Sequence, residues 1–161
     1  IISEVLKTDK PQERIEKLLS EFKDKEKEID ALKSKMAAQN SSALIERVKD
    51  INGIKVLSYR VDGLAQNDLR VLADNVRDRI KSGIILLASV KDGDASMVAM
   101  VTKDLISEFH AGDILKQISQ VAGGRGGGKA EMAQGGTKDI EKLDKAIEAV
   151  YDLIKEQKMK G

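Results

Sequence analysis

Residues 84–101 read Ile-Ile-Leu-Leu-Ala-Ser-Val-Lys-Asp-Gly-Asp-Ala-Ser-Met-Val-Ala-Met-Val, and this stretch decides the fold class. Ile84 to Val90 is an apolar run too short for an ordinary helix and closed by a turn signal, which predicts a strand buried on both faces. Lys91-Asp92-Gly93-Asp94 is a hairpin turn, so Ser96 to Val101 is predicted to return antiparallel to the first strand. Asp92 and Asp94 read as solvated turn residues in preference to a cation site.

Upstream, Asn67 to Ile80 places Leu69, Leu72, Val76 and Ile80 on one helical face, and Ile54 to Val61 reads as a strand. Strand, helix and strand in that order predict a right-handed crossover between parallel strands. Downstream, Gly112 and Asp113 open a helix with Ile114, Leu115, Ile118 and Val121 inward. Thr137 is placed to cap a last helix, with Asp139 and Glu141 in its first turn, Lys155 and Lys158 near its end, and an apolar face of Ile140, Leu143, Ile147, Val150 and Ile154. The expected class is α/β: a small mixed β-sheet packed with helices and preceded by a long helical, coiled-coil arm. Residues 1–50 would form the arm and residues 51–161 the globular domain, with no internal repeat.

Between Pro11 and Gln39, the residues Ile15, Leu18, Phe22, Ile29, Leu32 and Met36 recur in steps of three and four, as at heptad a and d positions. Lys25 and Gln39 fall on d positions and weaken the seam, while pairs such as Glu21 and Lys25 support the helix at i,i+4 spacing. A seam this narrow needs a partner, and dimerisation through it is the expectation; a hairpin of two helices from one chain is the other reading. Pro11 suits a first helical turn with Thr8 or Asp9 near the cap, so Ile1 to Lys7, with Ile2, Val5 and Leu6, reads as the end of a preceding helix. After Ala37-Ala38-Gln39-Asn40-Ser41-Ser42 the pattern changes, and a short helix around Leu44 to Lys49 is expected to lead into Gly53.

Composition removes several function classes. Charged residues make up 34% and hydrophobic ones 41%, and the longest apolar run falls far short of the ~20 residues that span a bilayer, so no membrane span is expected. The chain begins at Ile1 without Met or a leader, which leads us to expect a piece of a longer, non-secreted protein. The absence of cysteine excludes disulfides, thiolate zinc sites and cysteine nucleophiles within the chain and fits a cytoplasmic origin. His110 is the only histidine, no HExxH or GxSxG constellation occurs, and the carboxylates are spread over helix faces, so no active site is expected. With a net charge of +1 and only four aromatic residues, any RNA binding must be local.

One segment has the composition for such a site. Gly123-Gly124-Arg125-Gly126-Gly127-Gly128-Lys129, followed by Ala130-Glu131-Met132-Ala133-Gln134-Gly135-Gly136, holds seven of the 13 glycines. Residues without Cβ let peptide N–H groups approach a ligand and adopt the positive φ from which anion-binding nests are built, and Arg125 and Lys129 add cations. The GxxxxGK spacing of a phosphate loop is met, but Ala130 stands where Ser or Thr must hold Mg²⁺ and a helix precedes the loop, which argues against a nucleotide hydrolase. A flexible linker to a detached last helix is the plainer reading.

This glycine signature resembles that of the C-terminal domain of bacterial alanyl-tRNA synthetases, shared in diverged form with DHH phosphoesterases. The likeness rests on Gly123 to Lys129 and Met132 to Gly136, and upstream on Val61-Asp62-Gly63-Leu64, Leu69 through Asp74, Leu87-Ala88-Ser89, Lys103-Asp104 and Ala111-Gly112-Asp113. It departs from the pattern where an Ala between Gln134 and the glycine pair is missing. The resemblance implies a non-catalytic module that binds alanine-specific tRNA at its outer corner through Gly123, Gly124, Arg125, Gly126, Gly127, Gly128, Lys129, Met132, Gln134, Gly135 and Gly136. It also implies a homodimer through the helical arm, with ATP, Mg and zinc confined to other domains of the parent synthetase. The alternative is a nucleotide-binding or single-strand-binding accessory domain of a DHH-type phosphoesterase, against which Lys129 stands where those relatives usually carry His; a purely structural dimerisation domain is the third option.

Overall fold

The computed structural model describes Glu4 and residues 9–161. The predicted helix within Ile1 to Lys7, and the cap at Thr8, lie outside the described residues apart from Glu4. The chain divides into two compact units, residues 1–36 and 37–161.

Helix α1 (Pro11–Ile45) begins at its proline, as a residue lacking an N–H favours, and runs for 35 residues. It continues through Ala37 to Ser42, where a break was expected. Asn and Ser weaken a helix only modestly, and tertiary burial outweighs them: Ser41 and Leu44 are 0% and 3% exposed. The short helix expected around Leu44 to Lys49 is thus the last turn of α1 followed by strand β1 (Lys49–Ile51).

The remainder is β2 (Ile54–Arg60), α2 (Gln66–Ile80), β3 (Ile84–Lys91), β4 (Asp94–Val101), α3 (Ala111–Val121), β5 (Arg125–Gly128), β6 (Met132–Thr137) and α4 (Ile140–Lys160). The strands form one mixed sheet in the order β1-β2-β3-β4-β6-β5. Strand β2 pairs parallel to β3 across the α2 crossover, and every other pairing is antiparallel. Three of the six strands, β1, β5 and β6, were not anticipated. The β1–β2 hairpin carries a readable signal, Asn52-Gly53, whose positive φ angles of 53° and 88° match the two-residue turn that this pair favours. Asp92 and Gly93, at 52° and 82°, make the β3–β4 turn in the same way.

Alternating side chains put a core on each face of the sheet. On one face Leu57, Ile85, Leu87, Val98 and Met100 pack with Leu44 and with Leu69, Leu72, Ala73, Val76 and Ile80 of α2. On the other, Ile84, Leu86, Met97, Ala99 and Ala133 pack with Ile114, Leu115 and Ile118 of α3 and Leu143, Ile147, Val150 and Ile154 of α4. Val121, expected inward, is 46% exposed because the buried stripe of α3 runs through Ile118, Ser119 and Ala122 and leaves Val121 at its edge. Polar pins fix α4: Ser58 Oγ donates to Ile147 O at 2.6 Å, and Tyr151 Oη accepts from Ser58 N at 3.2 Å and donates to Ser58 O at 3.1 Å. The cap of α4 is Asp139, which accepts from Lys142 N at 3.2 Å. Thr137, assigned that role from sequence, is the last residue of β6, and its hydroxyl donates to Ala122 O at 2.7 Å.

Candidate nucleic-acid interface

The glycine-rich segment is a pair of strands and not a loop. Strands β5 and β6 pair with Arg125 opposite Gly136, Gly126 opposite Gly135, Gly127 opposite Gln134 and Gly128 opposite Ala133. Of its glycines only Gly123 has positive φ, at 67°, so the segment is extended backbone and not an anion-binding nest. The reversal at Lys129-Ala130-Glu131 is closed by Lys129 N donating to Met132 O at 2.9 Å.

Close packing is one reason for the glycines. A Cβ on Gly126 would lie 2.5 Å from Ser119 Oγ, and one on Gly112 would lie 2.6 Å from Gly128 O, so bare backbone lets α3 sit directly on the hairpin. The first N–H groups of α3 are consumed there: Ala111 N and Gly112 N donate to Ala130 O at 2.8 Å and Lys129 O at 3.0 Å. In a phosphate loop the glycines run directly into a helix whose first N–H groups face the anion, whereas here Lys129 is followed by strand β6, which adds to the sequence argument against one.

The opposite face of the hairpin is different. Helix α2 lies over β3 and β4, and beyond it Met132, Gln134 and Gly127 floor a groove of about 750 Å³. Nothing lies within 4 Å of where a Cβ on Gly127 would be. Arg70, Asp74 and Arg77 of α2 form one wall of the groove, and Lys129 and Glu131 the rim at the hairpin turn. Arg77 is held at 2.7 Å by Asp74 and at 3.1 Å by Asp78. Arg70 and Lys129 are exposed and have no ion pair among the described residues. The open backbone at Gly127, flanked by Met132 and Gln134 and edged by Arg70 and Lys129, offers a groove for a ring or sugar and charge-assisted contacts for a phosphate.

Of the residues singled out in the sequence, the groove gathers Gly127, Gly128, Lys129, Met132 and Gln134. Gly123 and Gly124 connect α3 to β5, Arg125 and Gly136 sit opposite each other at the far end of the hairpin, and Gly126 and Gly135 are turned toward Ser119. Arg70, Asp74 and Arg77 were missed. Their spacing by four and three residues puts them in one row beside the apolar face of α2, but only the sheet order sets that row against β6. On α1, the seam residues Ile15, Leu18, Phe22, Ile29, Leu32 and Met36 are all exposed, from 38% at Leu18 to 62% at Phe22, and Leu19, not anticipated, joins them. His110 is an exposed residue preceding α3, with Nδ1 3.3 Å from Asp113 Oδ2. Among the described residues no His, Cys, Asp and Glu cluster could hold a metal, and no helix is long and apolar enough to cross a membrane.

Comparison with known proteins places this geometry. A family model described as the DHHA1 domain matches residues 53–156, the span from the β1–β2 turn into α4.

The chain belongs to the DHHA1 domain family.

Among curated DHHA1 relatives, the alanine–tRNA ligase of Oceanobacillus iheyensis is 41% identical over 152 residues, 92% of this chain. That of Solibacter usitatus is 38% identical over 152 residues, 93% of this chain. The chain spans 17% of the length of each. Among solved structures, the crystal structure of the C-Ala domain from Aquifex aeolicus alanyl-tRNA synthetase aligns with a TM-score of 0.63 and 26% identity, covering 67% of this chain and 97% of that one. The DHHA1 domain described here thus matches the C-terminal region of bacterial alanyl-tRNA synthetase in sequence and in its α/β architecture.

Proposed function

We propose that this DHHA1 chain is the tRNA-binding and dimerisation module of an alanyl-tRNA synthetase, one that contacts the outer corner of L-shaped tRNA and helps couple aminoacylation with editing. The observation that carries the reading is the open β5–β6 face beside α2. It is a concave strip edged by unpaired Arg70 and Lys129, on a domain whose relatives are alanine–tRNA ligases. The module is non-catalytic. Alanine attachment, ATP and Mg use, and the editing zinc belong to other domains of the parent, which works in the cytoplasm on alanine-specific tRNA. Dimerisation is assigned to α1, because six apolar side chains at heptad spacing stand in solvent there.

Titration of labelled tRNA, of a mononucleotide and of a buffer control against the chain tests the reading. Saturable tRNA binding with no measurable mononucleotide binding is expected. Mononucleotide binding of comparable strength would support the phosphoesterase accessory-domain alternative, and binding of neither would leave a dimerisation domain only.

A further inference from the structure

A second groove, of about 740 Å³, adjoins the first at the C-terminal end of α2, and Arg77 and Glu131 line both. It adds Lys81, Ser82, Lys103 and Asp104 to the walls. Asp74 and Asp78 grip Arg77, whereas Asp104 accepts from the neutral Ser82 Oγ at 2.5 Å and keeps its charge. Arg70, Lys81, Lys103 and Lys129 have no ion pair among the described residues. Glu131 is the one lining carboxylate left without a side-chain partner there. Along α2 the basic positions 70 and 77 lie on one face about 10 Å apart, and Lys81 follows at the C-terminal cap of the helix. Cations spread in this way suit an extended polyanion, whereas a single phosphate would be served by one cluster.

We propose that the two grooves form one trough that tracks a stretch of RNA sugar–phosphate backbone, with Arg70, Lys81, Lys103 and Lys129 contacting phosphates and Glu131 and Asp104 the repulsive groups in its path. The inference rests on the RNA-binding reading above and extends the interface from the glycine hairpin to the whole flank of α2. These side chains lie at the surface, so their removal should leave the fold intact.

The test measures tRNA affinity of the full chain by fluorescence anisotropy at several salt concentrations. Arg70→Ala should bind about tenfold more weakly, in the range of a lost charge-assisted contact, and flatten the slope of log affinity against log salt by about 0.7 to 0.9. Lys81→Asn with Lys103→Ala should flatten it by about twice that; Asn suits the positive φ of 63° at position 81. Glu131→Gln should tighten binding by roughly threefold, an effect opposite in sign that nonspecific damage to the protein would not produce. Wild-type affinity and slope in these variants, alongside weakened binding by Lys129→Ala, would overturn the trough while leaving RNA binding at the hairpin in place. Failure of the wild-type chain to bind tRNA would overturn both readings. A polyglutamate peptide that binds where tRNA does not, with the same variants weakening it, would assign the trough to an acidic protein segment and overturn the proposal.

Discussion

Ser119 of α3 presses its hydroxyl against the bare backbone of Gly126 in β5, where a Cβ would come within 2.5 Å of Oγ, and that buried hydroxyl has no hydrogen-bond partner among the described residues. Gly126→Ala should therefore overpack the helix against the hairpin and destabilise the domain by about 1–3 kcal/mol. Ser119→Ala removes an unsatisfied polar atom and should be neutral or stabilise by up to about 1 kcal/mol. In the double variant the Gly126→Ala cost should shrink, because the atom it meets first is gone. Urea unfolding of the four proteins measures the cycle, and strict additivity would show that the two sites are not coupled.

Gly127 lies one residue away and is predicted to behave in the opposite manner. Its Cβ position is open and its φ is not positive, so Gly127→Val should fold with stability within about 1 kcal/mol of wild type, since β-branched residues suit a strand. The new side chain would stand on the groove floor and should weaken tRNA binding at least tenfold, an estimate on the order of one lost polar contact. Unchanged affinity in this folded variant would move the binding surface away from the β5–β6 face.

Dimerisation through α1 predicts that the wild-type chain has twice the chain mass in light scattering at micromolar concentration. Ile29→Asp with Leu32→Asp sets carboxylates facing each other across the seam, at a cost of several kcal/mol, and should give a monomer with the globular domain intact by circular dichroism. A wild-type mass of one chain would remove dimerisation from the proposed function.

Asp62, Asp104 and Asp139 have pKa values below the ordinary one, and Asp62 and Asp139 are the two paired with a cation. Asp62 accepts from Arg60 Nε at 2.7 Å and from Val90 N at 3.1 Å, and the hydrogen bond from Arg60 is the main reason that its pKa lies below the ordinary value. Asp139 is lowered chiefly by Lys142, whose ammonium lies at 2.8 Å. A carboxylate with a depressed folded pKa stabilises fully above its unfolded value of 3.8, and the contribution is lost as pH falls through the folded pKa. The thermal midpoint should therefore drop as pH is lowered below about 4. Asp62→Asn with Asp139→Asn should lower the midpoint at neutral pH and flatten that acid limb; an acid limb as steep as in wild type would assign the loss to other carboxylates.

Sequence alone determined the central strand-helix-strand-hairpin block and the long helix. Leu69 to Ile80 announces itself because burial of one helical face imposes a period of 3.6, Ile84 to Val90 because a strand buried on both faces is a short unbroken apolar run closed by a turn, and α1 because its apolar residues recur at heptad spacing. The glycine run at 123–136 was legible as unusual, yet its conformation was not. Glycines have no side chain to alternate, so β5 and β6 carry no strand period, and their extension is imposed by β4 alongside and by α3 pressing on Gly126. Asn52-Gly53 did encode a hairpin, but β1, its first arm, is three residues long and too short to show a pattern. The continuity of α1 past Ala37 was decided by burial of Ser41 and Leu44, a contact with residues far along the chain that local propensity cannot contain. The same holds for the groove. Arg70 and Arg77 read as solvated positions on a helix, and only the sheet order β3-β4-β6-β5, which leaves α2 over β3 and β4, brings them beside Gly127, Lys129 and Gln134. Periodicity is a local consequence of burial and is written in the sequence, whereas the meeting of two segments some 60 residues apart depends on how the strands are ordered, which tertiary packing alone fixes.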